Sequence, residues 1–364
     1  MKNKKIKIII IVGARPNFIK IAPLFKYFKK YSKRVMPIIV HTGQHYDNLM
    51  SRVFFKELNI PKPKYDLGVG SGLHGQQTGK ILIKLEGVYL KENPDLVVVV
   101  GDVNSTLAGA LAAVKIHIPV AHIEAGVRSY DKSMPEEINR IVTDRVADIL
   151  LCPTQNAVRN LKKEAITKGV FNVGDLNYDS FLNKLRTAHQ KSKILNELRL
   201  APKKYYLLTI HRPANVDNLD NFKNIIKTIV DSRTNVVFPV HPRTKKQLEK
   251  LKIKEFKNLK LIDPVGYLDM LILEESALKI ITDSGGVQKE AYFLKTPCIT
   301  LRDCTEWTET MIGGWNILVC RNNIPKLQKI IKSPCRPKKY QRFFGDGRAA
   351  EKIVKILSNS RRFS

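Results

Sequence analysis

Apolar runs of strand length recur from one end of this chain to the other, and helical patterns fill the gaps between them. The runs Lys7–Val12, Pro37–His41, Leu96–Val100, Val120–Ile123, Ile149–Cys152 and Phe171–Val173 are rich in valine and isoleucine. Strands buried on both faces of a parallel sheet have this composition. Apolar residues at helical spacing follow several of them, as in 19–30, 105–115 and 136–148. A second series begins near Tyr205 with YYLLTIH and continues through NVVFPVH, LKLID, LKIITD, PCITL and NILVC. Alternation of this kind predicts an α/β chain of two doubly wound, Rossmann-like domains. The polar stretch 183–204 separates the two series and contains no strand pattern. The expected domains are 1–174 and 175–344.

The bulk numbers exclude several classes. With 364 residues and 43% hydrophobic content, the chain can bury two cores of ordinary size. No apolar run reaches membrane-spanning length, and the basic, apolar start MKNKKIKIIIIVGARPNF reads as a first strand because a turn and a helix follow at once. The expectation is a cytoplasmic protein with no membrane insertion. Five cysteines without a CxxC pair give neither a disulfide framework nor a zinc site, and no metal-binding spacing occurs. Lys and Arg total 63 against 33 Asp and Glu, a formal charge of +30. That excess attracts anions of any kind. The basic residues are spread along the chain rather than gathered with aromatics, so no nucleic-acid partner is expected. GSGLHG at 70–75 matches a dinucleotide fingerprint but follows no strand of a βαβ unit, so no NAD site is expected there.

In open α/β sheets, ligands bind beyond the carboxyl ends of the strands, and two such domains facing each other enclose a cleft. Past the first-half strands stand Arg15 and Lys20, then Asp102 in GDVNST, then His122 and Glu124 in HIEAG. Past the second-half strands stand His211 and Arg212, His241 and Arg243, and Ser284, Gly285 and Gly286 in TDSGGVQKEA. The bare backbone of two glycines at a strand–helix junction suits either a tight capped turn or an anion on the first amides of the helix. Carboxylates fall mostly in the first half and phosphate-type donors in the second, which points to the phosphate end of a larger substrate. Asp102 also reads as a helix N-cap, and Glu136 with Glu137 as first-turn acids favoured by the helix dipole.

The motifs GARPNFIKIAPL, TGQHYD, GDVNST, HIEAGVRS, MPEEINR, HPRT, TDSGGVQKEA and RDCTEWTET, in this order from residue 13 to 310, resemble those of the non-hydrolysing UDP-N-acetylglucosamine 2-epimerases. GDGRAAEKIVKIL is similar to that family's closing helix. The resemblance implies a glycosyltransferase-B-like architecture in which helix 345–364 packs back on the first domain. It implies a homodimer, no NAD and no metal, and interconversion of UDP-GlcNAc and UDP-ManNAc. C2 of the sugar is not adjacent to a carbonyl, so the family's route eliminates UDP to 2-acetamidoglucal and adds it back. Such a route needs a base, an acid and a grip on the departing diphosphate.

Carried over by motif, Asp102, Glu124 and Glu136 are the implied acid/base carboxylates. Arg15, Lys20 and His211 are implied to steady the diphosphate, with His211 also among the catalytic candidates. Ser284, Gly285 and Gly286 are implied to seat a phosphate, Glu290 the ribose hydroxyls, and Arg243 is a further phosphate candidate. Two readings share much of this pattern: a hydrolysing 2-epimerase releasing UDP and ManNAc, and a retaining glycosyltransferase. The chain departs from the family in HRPANVD, where members commonly have HRxEN, and at Cys304 and Thr308 in RDCTEWTET. Bacterial members as a group are activated by a second UDP-GlcNAc. Tyr46 and Asp47, with a 65–77 loop free of Lys and Arg, lead to the expectation that this activation is absent.

Overall fold

Ile6–Val12 has an aliphatic side chain at six of its seven positions, so whichever way a residue points it must find cover, and the chain supplies it on both faces. In the computed structural model, Ile8, Ile10 and Val12 enter one apolar cluster while Ile9 and Ile11 enter another. The structure describes residues 5–44, 55, 60–251, 257–320, 323–333 and 337–359, without the side chains of Arg15 and Pro16. The strands in order are β1 (Ile6–Val12), β2 (Val35–His41), β3 (Tyr65–Asp66), β4 (Leu96–Val100), β5 (Val120–Ile123), β6 (Ile149–Cys152) and β7 (Val170–Asn172). They continue with β8 (Tyr206–Thr209), β9 (Val236–Pro239), β10 (Leu259–Ile262), β11 (Lys279–Thr282), β12 (Cys298–Leu301) and β13 (Asn316–Val319).

Two parallel sheets result. One runs β3-β2-β1-β4-β5-β6-β7 and the other β10-β9-β8-β11-β12-β13. Both reverse strand order beside their first strand, so each is doubly wound, with helices crossing over on both faces. Pairing is in parallel register throughout, for example Ile10 with Ile39 and Val98, and Ile281 with Leu208 and Ile299. The α/β, two-Rossmann reading of the sequence holds.

The chain divides into one unit of Met1–Ser180 with Arg342–Ser364 and a second of Phe181–Gln341. The sequence reading put the boundary at 174/175, ahead of the helix Leu176–Lys191; the division instead runs through that helix. The physical reason lies at its start, where Asp179 accepts the amides of Ala349 (3.2 Å) and Ala350 (2.8 Å) and so caps the helix Ala349–Leu357. That last helix buries Ala350, Ile353, Val354 and Leu357 against Phe18, Ile21, Leu24 and Phe28 of the first unit.

Two elements were not expected. β3 is only two residues long, and the helix His74–Glu92 begins at the last two residues of the GSGLHG decoy. Gly75, Gly79 and Gly87 lower its intrinsic propensity, and burial of Ile81, Leu85, Val88 and Tyr89 at helical spacing overrides them.

Candidate active site

The first unit gathers charge just past β4 and β5. Lys20, one turn into the helix Arg15–Lys30, places its Nζ 2.5 Å from Glu124 Oε2. Burial pulls the Lys20 pKa down, but Glu124, Asp102 and Asp175 outweigh it and hold the ammonium above its ordinary value. Glu124 adopts φ +77°, a left-handed conformation that costs a non-glycine residue on the order of 1–3 kcal/mol and is retained where the surroundings enforce it. Asp102 Oδ2 lies 2.5 Å from Arg140 Nη2, and its backbone carbonyl accepts from Asn139 Nδ2 at 2.8 Å. Desolvation pushes the Asp102 carboxyl above the usual range; Arg140 and Lys20 pull it down only in part, and Glu124 adds to the rise. Gly101 has φ +72°, the left-handed backbone that favours glycine, in the turn presenting Asp102.

Of the paired acids on the helix Pro135–Val146, Glu137 is the buried one. Its carboxylate accepts from the amides of Ser129 and Tyr130, from Ser129 Oγ and from Arg140 Nη1, all at 2.9 Å. Glu136 is exposed and makes no hydrogen bond or ion pair among the described residues. The structure thus joins Asp102, Glu124 and Lys20 through side-chain charges but leaves Glu136 outside that set. His122 is a correction: expected at the strand end with Glu124, it is fully buried, with Nδ1 2.7 Å from Asp144 and Nε2 2.8 Å from the Gly101 carbonyl. Arg15 opens its helix, with a side chain outside those described. His45, Tyr46 and Asp47 also lie outside the described residues; Gln44 is buried, accepting from the amide and hydroxyl of Ser105.

The second unit is organised by Asp283, a fully buried residue at the end of β11 that the sequence reading passed over. It accepts from the amides of His211 (3.0 Å) and Arg212 (2.9 Å) and from Asn215 Nδ2 (3.0 Å), and lies 3.1 Å from His211 Nδ1. Burial pushes its carboxyl up, but His211, Asn215 and the Arg212 amide hold it below the usual range. The charge of Asp283 therefore fixes the loop after β8 and turns Nε2 of His211, a partly exposed side chain, outward.

Ser284 caps the helix Gly285–Phe293, its hydroxyl accepting from Val287 N at 3.5 Å, and the amides of Gly285 and Gly286 meet no acceptor among the described residues. The capped-turn and anion-seat readings are thus compatible: the cap uses one amide and leaves two free. A Cβ on Gly285 would meet Glu306 Oε1 at 3.0 Å, so the backbone there is bare because that carboxylate crowds it.

Glu290, on the same helix, accepts from Tyr267 Oη at 2.6 Å, and burial raises its carboxyl against the pull of that bond. Glu274 stands fully buried, with neither carboxyl oxygen hydrogen-bonded among the described residues, and burial and the Glu290 charge hold it well above the carboxylate range. Arg243 is on the surface in a 3.4 Å pair with Asp217, and His241 is the N-cap of its helix, accepting from Arg243 N.

A family model described as UDP-N-acetylglucosamine 2-epimerase matches residues 29–358. A UDP-N-acetylglucosamine 2-epimerase homolog of Methanococcus maripaludis is 55% identical, over 97% of this chain and 99% of its own length. The UDP-2,3-diacetamido-2,3-dideoxy-D-glucuronate 2-epimerase of Pseudomonas aeruginosa is 44% identical over the same shares. Among solved structures, the Methanocaldococcus jannaschii UDP-GlcNAc 2-epimerase in complex with UDP-GlcNAc and UDP superposes with a TM-score of 0.86. It is 46% identical, and the match covers 97% of this chain and all of that one. A lipopolysaccharide outer core galactosyltransferase, 14% identical at a TM-score of 0.58, shares the fold.

Proposed function

The chain belongs to the UDP-N-acetylglucosamine 2-epimerase family, and we propose that it interconverts UDP-GlcNAc and UDP-ManNAc by eliminating and re-adding UDP. The observation that carries this reading is the Asp102–Lys20–Glu124 set, two carboxylates sharing one half-buried ammonium. Inverting a C–H centre takes a base on one face and an acid on the other. Carboxyls held in different surroundings divide those tasks. Asp102, raised by desolvation, suits the proton donor, and Glu124 the acceptor.

The leaving diphosphate is the second requirement, and in this reading the donors of the second unit meet it. The free amides of Gly285 and Gly286, the Ser284 hydroxyl and His211 supply fixed dipoles where negative charge builds as the C1–O bond breaks. Arg15 and Lys20 add charge, and Glu290 takes the ribose hydroxyls. Arg243 contributes only by leaving Asp217. Elimination leaves 2-acetamidoglucal, and protonation at C2 on the opposite face with return of UDP gives the epimer. The route uses no NAD and no metal. A homodimer working in the cytoplasm completes the proposal.

Incubation with UDP-GlcNAc and no acceptor tests it: UDP-ManNAc accumulating to a stable ratio is the expected product. Free ManNAc with UDP would assign the hydrolysing reaction, and unchanged substrate would exclude both. The Pseudomonas relative favours a second reading, in which the sugar carries a 3-acetamido group and a 6-carboxylate. The same assay with that nucleotide sugar separates the two by relative kcat/KM.

A further inference from the structure

A chain of charged and polar groups, buried except at Glu164, runs behind the two candidate carboxylates of the first unit. Asp144, on the helix Pro135–Val146, has its Oδ1 2.7 Å from His122 Nδ1, while its Oδ2 accepts from Arg128 Nη1 at 2.7 Å and from the Gly126 amide at 2.9 Å. Arg128 in turn donates from Nε and Nη2 to both oxygens of Glu164, at 2.7 and 2.8 Å. His122 Nε2 lies 2.8 Å from the Gly101 carbonyl, which only accepts, so Nε2 carries a proton. Burial pushes the Asp144 carboxyl up, but His122 and Arg128 hold it below the usual range, so it too only accepts. Glu164, Arg128 and Asp144 alternate in sign, with Glu164 half-buried at one end and both ring nitrogens of His122 hydrogen-bonded at the other, which is what makes the burial of Arg128 and Asp144 tolerable.

The two arms of this chain end beside the two candidate carboxylates. Gly101, held by His122, immediately precedes Asp102. Gly126, held by Asp144 itself, lies two residues beyond Glu124. Gly101, Glu124 and Gly126 all have φ between +72° and +77°. A Cβ on Gly126 would come within 2.4 Å of the Ala157 carbonyl oxygen, so that turn has no room to relax. Asn139 and Arg140 of the same helix also hold Asp102. Asp144 reaches the Asp102 turn through His122 and the Glu124 turn through Gly126.

We propose that Asp144 is a positioning residue that sets the placement of Asp102 and Glu124 relative to each other, one through His122 and Gly101, the other through Gly126. The proposal rests on the reading of those two carboxylates as acid and base. Its test is steady-state kinetics on the full chain with Asp144→Ala, Asp144→Asn and His122→Gln, beside Asp102→Asn and Glu124→Gln. In Asp144→Asn the amide oxygen still accepts from Gly126 and Arg128, and the amide nitrogen donates to His122 Nδ1, so geometry survives while the carboxylate charge is lost.

We expect Asp144→Ala to lower kcat about 100-fold, with KM and UDP affinity within about threefold of the parent. Asp144→Asn should recover to within about tenfold of the parent kcat. In the Asp102→Asn background, His122→Gln should cost nothing further, because its only route to the chemistry is gone. A residue serving stability alone would lower the melting temperature of both Asp144 variants and leave kcat per folded molecule unchanged, and that result overturns the proposal. If Asp144→Ala does not fold, His122→Gln decides in its place: a tenfold or greater loss of kcat at constant KM supports it, and parental kcat overturns it. Normal turnover in Asp102→Asn and Glu124→Gln would instead overturn the acid/base reading beneath it.

Discussion

The two units carry charge past their strand ends in opposite ways. In the first, every charged side chain near Asp102 and Glu124 whose contacts are described is already paired: Lys20 with Glu124, Arg140 with Asp102 and Glu137, Asp144 with His122 and Arg128. In the second, one buried aspartate gathers the loop from behind, and the groups in front of it stay open: two helix amides and the outer nitrogen of His211. The difference matches two kinds of work. A carboxylate that moves a proton must be fixed in orientation and tuned in pKa, which requires partners. A seat for phosphate must keep donors unpaired until the ligand comes, so its order has to be imposed from the rear.

The largest expected effect breaks the first half of this comparison. Glu124→Gln keeps the shape and removes the charge, so turnover should fall by about 1,000-fold while UDP affinity, measured by calorimetry, barely changes. A loss of UDP binding as large as the loss of turnover would mean that the paired carboxylates hold ligand rather than move protons.

Next is the rear support of the second unit. Asp283→Ala leaves the half-buried amides of His211 and Arg212 without their acceptor and Asn215 with only the Leu301 carbonyl, and should cost about 3 kcal/mol in urea unfolding. The pH dependence follows from its lowered pKa. The stability that the ionised Asp283 contributes is complete above the unfolded value, about 3.9, and is lost as pH falls through the lower folded value. The gap between Asp283→Asn and the parent should therefore be constant near neutrality and close in strong acid. A gap independent of pH down to pH 2 would contradict the ionised collector.

A smaller effect sharpens the open seat. Gly285→Ala presses a methyl on Glu306 and narrows the approach to the free amides, so UDP should bind about tenfold more weakly. Gly286→Ala, whose nearest neighbour is Ser284 Oγ at 3.8 Å, should show less. Equal effects would mean that the amides are not approached from the Gly285 side. Smallest is Arg243→Ala: its pair with Asp217 is half exposed at 3.4 Å, and stability should change by no more than about 0.5 kcal/mol.

How far the sequence reaches can be judged on particular elements. β4, β5 and β6 begin and end where their apolar runs do, because a strand covered on both faces admits a polar residue only where its polar atoms find partners, as His122 in β5 does. The helix over 74–92 was hidden by its glycines, and only tertiary burial shows why it forms. At the site, the residues past the strand ends were legible, since topology puts ligands there. Their partners were not: Arg140 meets Asp102 across 38 positions and His122 meets Asp144 across 22. Those pairings depend on the rotation of one helix, as does the choice between Glu136 and Glu137, which a 100° step turns to opposite surroundings. Asp283 sat within a quoted motif, but its glycine neighbours drew the functional reading, and nothing local marks an aspartate that collects amides from the loop after β8.

The account's central claim is that paired carboxylates of the first unit break and remake the C2–H bond. Turnover of UDP-GlcNAc in D₂O, followed by proton NMR and mass spectrometry of the recovered nucleotide sugars, tests it most directly. UDP-ManNAc must carry deuterium at C2 from the first turnover, and Glu124→Gln must abolish its incorporation. UDP-ManNAc formed with protium retained at C2 would contradict the claim.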